Sequence, residues 1–127
     1  MSDRDKPRIE SISAVTLFVA DMARAVSFYE ALGFDPLYGG SEASFTSFRF
    51  GDNYLNLTLG DRSPSAPLWG RIILHVSDVD GLHRRALDAG LEPQFAPRDA
   101  AWGERYFHLT DPDGHELSFA RPLPRRE

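Results

Sequence analysis

Two strand-like runs in the second half of the chain carry the residues with the clearest chemical potential. Arg71 and His75 lie on one face of the first run, because alternate side chains of a strand point to the same side. Tyr106 and His108 share a face of the second run in the same way. Arginine binds carboxylate or phosphate through paired hydrogen bonds, and histidine can act as a general base near neutral pH. The spacing therefore predicts ligand recognition or proton transfer on one face of a sheet.

Arg71 admits three interpretations. A charge inside an apolar cavity is costly unless it is paired, so Arg71 would bind an anionic ligand or pair internally with Glu116. In the third interpretation its side chain reaches solvent at the mouth of a cavity. His75 and His108 are candidates for catalysis or ligand contact, although a histidine on a strand also serves as a hydrogen-bonded structural residue. With Glu116 they would form an unconventional metal triad that no spacing rule supports.

Aromatic residues supply a second kind of candidate contact, because their rings stack on flat ligands. Trp102 lies in a loop, and loops often carry binding residues. Tyr106 and Trp102 are assigned to a pocket and Trp69 is a further candidate, whereas Phe48 is expected to pack in the core.

Other residues of reactive type are assigned structural positions. His83 is predicted to lie on the exposed side of a helix, and His115 in a turn. Asp111 and Asp113 belong to a D-P-D-G turn and are therefore not interpreted as a catalytic pair. Tyr29 belongs to the apolar face of a helix and is given no functional role.

The elements that position these residues occur twice along the chain. The first half reads as a strand, a helix that begins after Asp21 and ends before Gly33, and two further strands. In the second half, Asp78 and Gly90 repeat the spacing of that aspartate and that glycine. This duplication predicts two copies of one βαβββ unit. The predicted elements are Ser11–Ala20, Met22–Leu32, Phe45–Phe50, Tyr54–Leu59, Gly70–Val76, Val79–Ala89, Tyr106–Thr110 and Glu116–Ala120.

The two copies are expected to form one domain, because neither could readily bury a core alone. The domain is predicted at residues 9–122. Residues 1–8 and 123–127 are expected to be tails. Within the domain, module one is placed at about 9–60, a polar, Pro-rich linker at about 61–68, and module two at about 69–122.

Three motifs in this order resemble those of the glyoxalase, bleomycin-resistance and extradiol-dioxygenase superfamily. The resemblance rests on VTLFVADMARAVSFYEALGF at 15–34, HVSDVDGLHRRALDAG at 75–90 and YFHLTDPDGHELSFARP at 106–122. It spans about residues 11–122 and is strongest toward the metal-free members that resemble bleomycin-resistance proteins. It implies an α+β fold in which two tandem βαβββ modules curl into a shared half-barrel cavity, and it implies a homodimer.

The same resemblance identifies the positions that hold a divalent metal in metal-dependent members. Counted from the capping aspartates and the D-P-D-G turn, these positions are Ala14, Asn56, Arg71 and Ser118. A methyl group cannot coordinate a metal, and a guanidinium stays protonated and repels a cation. Amide and hydroxyl oxygens are weak neutral donors. We therefore expect no metal and no other cofactor, with a divalent metal as the alternative.

Strand alternation from these positions places polar and aromatic side chains on the face that the family uses for its pocket, and apolar ones on the opposite face. The predicted ligand-binding residues are Thr16, Phe18, Tyr54, Asn56, Arg71, His75, Trp102, Tyr106, His108, Glu116 and Ser118.

Composition excludes several other functions. The chain has 127 residues, no cysteine and a formal net charge of −5. Disulfides and thiolate-metal sites are therefore excluded, and nucleic acid is an unlikely partner for so acidic a chain. No apolar run approaches the about 20 residues of a membrane helix, and the charged N-terminal segment does not resemble a signal peptide. A cytoplasmic location is expected.

Three functions remain consistent with the sequence. The favoured one is a metal-free protein that binds a small, partly aromatic or charged molecule, in the manner of an antibiotic-sequestering protein. The alternative is an enzyme, either a glyoxalase-like lyase or isomerase with His75 or His108 as base, or a metal-dependent dioxygenase-type enzyme. The third is a structural or regulatory dimer whose cavity binds nothing.

Overall fold

A computed structural model describes residues 7, 10, 12–61, 69 and 71–124. The predicted linker, apart from residue 61, lies outside this part of the chain, as do most residues of the two predicted tails.

Module one forms a four-stranded sheet with one helix. Strand β1 runs parallel to β4, and the antiparallel strands β3 and β2 complete the order β1-β4-β3-β2. The short strand β2 has no strand-like alternation, and the sequence pattern did not locate it. The elements are β1 Ala14–Val19, α1 Met22–Ala31, β2 Pro36–Tyr38, β3 Phe45–Phe50 and β4 Asn53–Leu59.

Module two repeats this arrangement. Strand β5 runs parallel to β8, followed by the antiparallel strands β7 and β6, in the order β5-β8-β7-β6. The chain thus has the predicted α+β fold of two tandem modules, with two separate sheets rather than a closed barrel. The elements are β5 Arg71–His75, α2 Val79–Asp88, β6 Arg98–Asp99, β7 Glu104–Thr110 and β8 Glu116–Pro122.

Both helices begin where the sequence predicts, and each ends one residue before its predicted end. The carboxylate of Asp21 accepts a hydrogen bond from the Arg24 amide at 3.1 Å, and the carboxylate of Asp78 accepts one from the Gly81 amide at 2.9 Å. Each bond satisfies an amide that the first helical turn leaves without a backbone partner. Gly33, with φ of +98°, follows α1 in the left-handed conformation that other residues adopt only at a cost.

One hydrophobic core connects the two modules. In β1 and β4, Leu17 and Leu57 are fully buried, whereas Leu59 at the end of β4 leaves 46% of its surface exposed. Leu74 and Phe119 occupy the corresponding positions in module two, and the Phe119 ring centroid lies 5.3 Å from that of Phe107 on β7. All of these residues except Leu59 belong to a single buried cluster with the apolar faces of the helices. The predicted separation into an apolar face and a polar face is therefore confirmed in both sheets.

Residues 111–115 of module two, here named the clasp turn, bind module one directly. The Tyr29 hydroxyl of α1 donates a hydrogen bond of 2.7 Å to the carboxylate of Asp111. The other oxygen of this carboxylate accepts bonds from the amides of Asp113 and His115, at 2.9 and 2.8 Å. Tyr29 therefore does more than fill the helix face, because its hydroxyl satisfies a buried carboxylate of the opposite module.

A second aspartate of the clasp turn is fully buried. The Asp113 carboxylate accepts hydrogen bonds from the Ala20 amide at 2.8 Å and from the Arg24 guanidinium at 3.2 Å. Both donors lie at the start of α1, so they are available only when the two modules are docked. The two turn aspartates therefore connect the modules.

Burial raises the pKa of Asp111, although the hydrogen bonds that it accepts oppose this effect. Burial, followed by the neighbouring Asp111 charge, also raises the pKa of Tyr29, so its hydroxyl stays protonated and donates.

We predict that Tyr29→Phe lowers the free energy of unfolding by about 1–3 kcal/mol, because it leaves a buried carboxylate oxygen without its donor. Urea denaturation measures this difference. The control is Tyr38→Phe, whose exposed side chain should change stability by less than about 0.5 kcal/mol. Equal effects of the two substitutions would show that the clasp turn does not depend on this hydrogen bond.

Candidate functional site

The predicted site residues of module one lie in adjacent rows on the polar face of its sheet. Thr16 pairs with Asn56 across β1 and β4, and the Asn56 amide donates a hydrogen bond of 3.2 Å to the Thr16 hydroxyl. Tyr54 is half-buried in the same face. Phe18 leaves 58% of its surface exposed, which is unusual for a phenylalanine in a globular domain. This face offers small polar groups and one exposed ring but no charge pair.

The polar face of module two is built around a buried carboxylate. Glu116 pairs with Arg71 across β8 and β5, and its oxygen Oε2 accepts a 2.6 Å hydrogen bond from Arg71 Nε and a contact from Nη2. Its other oxygen accepts a 3.0 Å bond from the side-chain amide of Gln94, which also donates to the Thr110 hydroxyl. Of the three interpretations of Arg71, the structure shows two together: the guanidinium pairs internally with Glu116, and the side chain is 44% exposed to solvent.

This network keeps Glu116 ionised. Burial alone would raise the pKa of the carboxyl, but the hydrogen bonds from Gln94 and Arg71 outweigh it, so the pKa lies below its usual value. The Arg71 guanidinium is thereby committed to a partner inside the protein. A ligand anion would have to compete with Glu116 for it.

His108 lies beside this pair, in the row formed by Ile73, Ser118 and His108. Its Nδ1 atom is 3.9 Å from Glu116 Oε1, beyond hydrogen-bonding distance, and its side chain is 12% exposed. Burial, followed by the charge of Arg71, lowers the pKa of the imidazole, with a smaller opposing effect from Glu116. His108 is therefore neutral near pH 7.

Aromatic rings continue the same face. The Tyr106 ring has centroid distances of 5.2 Å to Trp102 and 5.4 Å to Phe95. Arg98 lies over the Phe95 ring at 3.8 Å, and its Nε donates to the Tyr106 hydroxyl at 3.1 Å. Flat rings and a cation in this arrangement suit the binding of a flat molecule.

The Trp102 ring is exposed but held in place. Its indole N–H donates a 2.9 Å hydrogen bond to Glu104 Oε1, while Glu104 Oε2 lies 3.0 Å from His75 Nε2. The loop itself is closed by backbone bonds from the Gly103 amide to Ala100 and from the Leu123 amide to Gly103. Fixing the indole in this way lowers the entropy that a ligand would lose on binding.

Three residues of this cluster, Gln94, Phe95 and Arg98, were not predicted from the sequence. They precede or form the two-residue strand β6, which is too short to show alternation. The only available signal was the aromatic and cationic composition of a loop.

Two histidines differ from their predicted surroundings. His115 does lie in a turn, but it is buried: the Trp69 indole N–H donates to its Nδ1 at 2.7 Å, so the proton on Nε2 is donated to the Phe18 carbonyl at 2.8 Å. His83 is half-buried, with its ring centroid 5.2 Å from that of Phe107 in an edge-to-face arrangement, because α2 packs this side on β7. Both histidines have structural roles.

The two polar faces approach each other at the seam between β1 and β5. A cavity of about 490 Å³ there is lined by both modules, including the predicted residues Tyr54, Arg71 and His75. Another cavity, of about 590 Å³, lies between the end of α1 and the start of α2, and of the predicted set it includes only His75. Trp102, Tyr106 and His108 line neither of these two cavities; the Trp102 ring is exposed to solvent, whereas Tyr106 is buried beneath it and His108 is largely buried.

The strand register tests whether the family's metal positions fit a metal. In module one, Ala14 pairs with Tyr54, and Asn56 lies two residues after Tyr54 on β4. In module two, Arg71 pairs with Glu116, and Ser118 lies two residues after Glu116 on β8. The two modules therefore place these four residues equivalently. They provide a methyl group, an amide bonded to Thr16, a paired guanidinium and a hydroxyl. This donor set does not fit a divalent cation.

The unconventional triad is not assembled either. His75 pairs with Glu104, whereas His108 lies near Glu116. In the parts of the chain that the structure describes, no three His, Asp or Glu side chains form a group able to hold a metal ion.

Sequence and structure comparisons agree with this architecture. The model of the Glyoxalase/Bleomycin resistance protein/Dioxygenase superfamily matches residues 11–119. The chain therefore belongs to this superfamily.

Solved structures share the fold. A bleomycin-binding protein complexed with bleomycin is 25% identical, with a TM-score of 0.72 over 89% of this chain and 98% of that one. TioX from Micromonospora sp. ML1 is 26% identical, with a TM-score of 0.71 over 90% of this chain and all of that chain (100%). A superfamily member from Nocardioides is 18% identical, with a TM-score of 0.77 over 98% of this chain and 91% of that one.

Curated relatives match a shorter segment. An uncharacterised protein of Mycobacterium tuberculosis (strain H37Rv) is 44% identical over 52 residues, which is 41% of this chain and 31% of that protein. A protein of Mycobacterium bovis matches at the same identity over 34% of its length. The alignment thus spans about a third of these relatives.

Among the described residues, neither helix has the length and apolar character needed to cross a bilayer. The cytoplasmic location and the homodimer stay predictions.

The lowered pKa of His108 makes stability depend on pH. A histidine with a lowered pKa binds fewer protons in the folded chain than in the unfolded chain, whose value is about 6.5. Its contribution to stability is therefore present above that value and lost as the pH falls through the folded value. We predict that the unfolding free energy falls more for wild type than for His108→Gln between about pH 7.5 and about pH 5.

Urea denaturation at the two pH values measures this difference. Thr110→Ser, a neutral change on the same strand, should keep the wild-type slope. Equal slopes for wild type and His108→Gln would contradict the assignment of a lowered pKa.

Proposed function

We propose that this protein binds a small, flat aromatic molecule without a metal, as an antibiotic-sequestering member of its superfamily would. The observation that carries the proposal is the fixed aromatic surface on module two. Trp102 is 67% exposed, yet its indole is hydrogen-bonded and its ring lies 5.2 Å from that of Tyr106. An exposed ring that the protein already holds in place loses little entropy when a flat ligand stacks on it.

The surrounding polar groups support specific recognition of a ligand rather than nonspecific hydrophobic association. The carboxylates of Glu104 and Glu116 already accept hydrogen bonds from protein donors, which fixes them beside the rings. A ligand would therefore meet preformed groups and displace few internal bonds. Sites of this kind orient a flat molecule with a small number of polar contacts around an apolar surface.

A relative gives independent support for this class of ligand. The bleomycin-binding protein with 25% identity covers 89% of this chain and was solved as a complex with bleomycin. Its similarity makes an antibiotic-like molecule a reasonable first ligand to test, although fold alone does not determine the compound.

We favour binding over a lyase or isomerase reaction because of the environment of His108. The lowered pKa leaves its imidazole neutral, as a general base requires, but it also weakens the base. Phe95 and Tyr106 flank the imidazole, at centroid distances of 5.1 and 5.2 Å, and it is largely buried. His75, the other candidate base, is paired with Glu104.

We predict that Trp102→Ala weakens the binding of metal-free bleomycin or of 2-naphthamide by at least about tenfold, because it removes the apolar area that the indole would bury against the ligand as well as about 1 kcal/mol of ring stacking. Isothermal titration calorimetry measures both affinities. Tyr38→Ala is a matched control, since Tyr38 is 66% exposed but lies on module one. The proposal fails if neither compound binds the wild type at about 1 mM, or if the two variants lose affinity equally.

The metal-free part of the proposal has its own test. After dialysis against EDTA, we expect the melting temperature and the affinity for 2-naphthamide to be unchanged, because the four family positions hold no suitable donor set. Adding Ni²⁺ or Zn²⁺ should likewise leave both unchanged. A stoichiometric divalent ion in the purified protein, or a melting temperature that rises with added metal, would contradict this part alone.

A further inference from the structure

Arg98 is held on the aromatic surface by its ring contacts and by one of its nitrogens. It pairs with Tyr106 across β6 and β7, and its Nε donates to the Tyr106 hydroxyl at 3.1 Å. The centre of its guanidinium lies 3.8 Å from the Phe95 ring centroid and 5.4 Å from that of Tyr106. The plane of the guanidinium is therefore fixed, although the residue is exposed.

The guanidinium of Arg98 differs from those of neighbouring arginines in its ion pairing. Arg71 pairs with Glu116, and Arg105 pairs with Asp80 and Asp99. Within the described ranges, Arg98 forms no ion pair with a carboxylate, so its two terminal nitrogens keep their donors. A planar fork of this kind matches a carboxylate through two parallel hydrogen bonds.

The carboxylates on the same face are less available to a cationic ligand than Arg98 is to an anionic one. Glu116 is occupied by Arg71 and Gln94, and Glu104 by Trp102 and His75. A cationic ligand would need to displace one of these internal donors. An anionic ligand would meet Arg98 without such a cost.

The distances place the cation beside the stacking surface. Arg98 and Trp102 both lie against the Tyr106 ring, at 5.4 and 5.2 Å from its centroid. Both side chains are thus neighbours of one ring, and we expect a ligand that contacts the indole to carry its anionic group toward the guanidinium. The sequence left anion binding by Arg71 as one of three interpretations, but Arg71 is paired with Glu116, and Arg98 was not singled out from the sequence.

We propose that Arg98 is a specificity-determining residue that binds the carboxylate of a flat aromatic carboxylate ligand. This inference rests on the proposed function, because it needs the ring-binding surface around Trp102. It goes further by naming the charge of the ligand and the residue that selects it.

The test compares three probes of one shape that differ in charge: 2-naphthoate, neutral 2-naphthamide and cationic 2-naphthylmethylamine. Calorimetry gives the affinities, and the ¹⁵N resonance of the Trp102 indole, assigned with Trp69→Phe, shows whether each probe reaches the surface. In the wild type we expect 2-naphthoate to bind at least about tenfold more tightly than the other two, as a charge-assisted bidentate pair implies.

Variants separate the contribution of Arg98 from general electrostatics. Arg98→Gln should reduce the affinity for 2-naphthoate by at least about tenfold and leave that for 2-naphthamide within about twofold. Arg98→Lys keeps the charge but not the fork, so it should give an intermediate value. Arg121→Gln, which removes an equal charge from the exposed end of β8, should leave all three affinities unchanged.

The outcomes distinguish this inference from the function on which it rests. If 2-naphthamide binds at Trp102 but 2-naphthoate binds no better, or if Arg98→Gln and Arg121→Gln behave alike, the inference is wrong and the proposed function stands. Tighter binding of the amine overturns the inference in the same way. If no probe binds or moves the Trp102 resonance at about 1 mM, the proposed function is wrong and the inference fails with it.

Discussion

The docking of the two modules through the clasp turn is the constraint on which the rest of the structure depends. Asp111 and Asp113 are buried carboxylates, and buried carboxylates are stable only where donors surround them. Those donors come partly from α1 of module one, through Tyr29 and Arg24. The seam between β1 and β5, and the orientation of both polar faces, follow from this contact. A turn that looks local in the sequence therefore determines the geometry of a surface formed by distant strands.

A third buried carboxylate, that of Glu116, determines the electrostatics of the candidate site. Glu116 stays ionised only because Arg71 and Gln94 donate to it. This requirement engages Arg71, at one of the four positions that the family resemblance assigns to metal ligands. Arg98 is held by ring contacts instead, and within the described ranges no carboxylate of the protein pairs with it. Which arginine keeps donors available is thus decided by which one a carboxylate of the protein has already engaged.

The sequence predicted those features that depend on local spacing. Alternation separated the polar and apolar faces of the strands, and the caps Asp21 and Asp78 marked the helices, because both signals act within a few residues. The partner of Arg71 remained open, since only the strand register brings Glu116 opposite it. Arg98 and its neighbours were missed because a two-residue strand carries no periodic signal. The burial of His115 was also missed, because its surroundings come from the other module.

Comparison of the modules explains why the chemistry is concentrated on one of them. The register places Ala14, Tyr54 and Asn56 in module one where Arg71, Glu116 and Ser118 stand in module two. The duplicated backbone is the same, and each sheet places an arginine over a ring, Arg49 over Tyr54 in module one and Arg98 over Phe95 in module two. Among the described residues, the ion pair of Arg71 and Glu116 has no counterpart at the equivalent positions of module one, which hold Ala14 and Tyr54. Since strand geometry is common to both sheets, it cannot account for this difference; the side chains placed on it do.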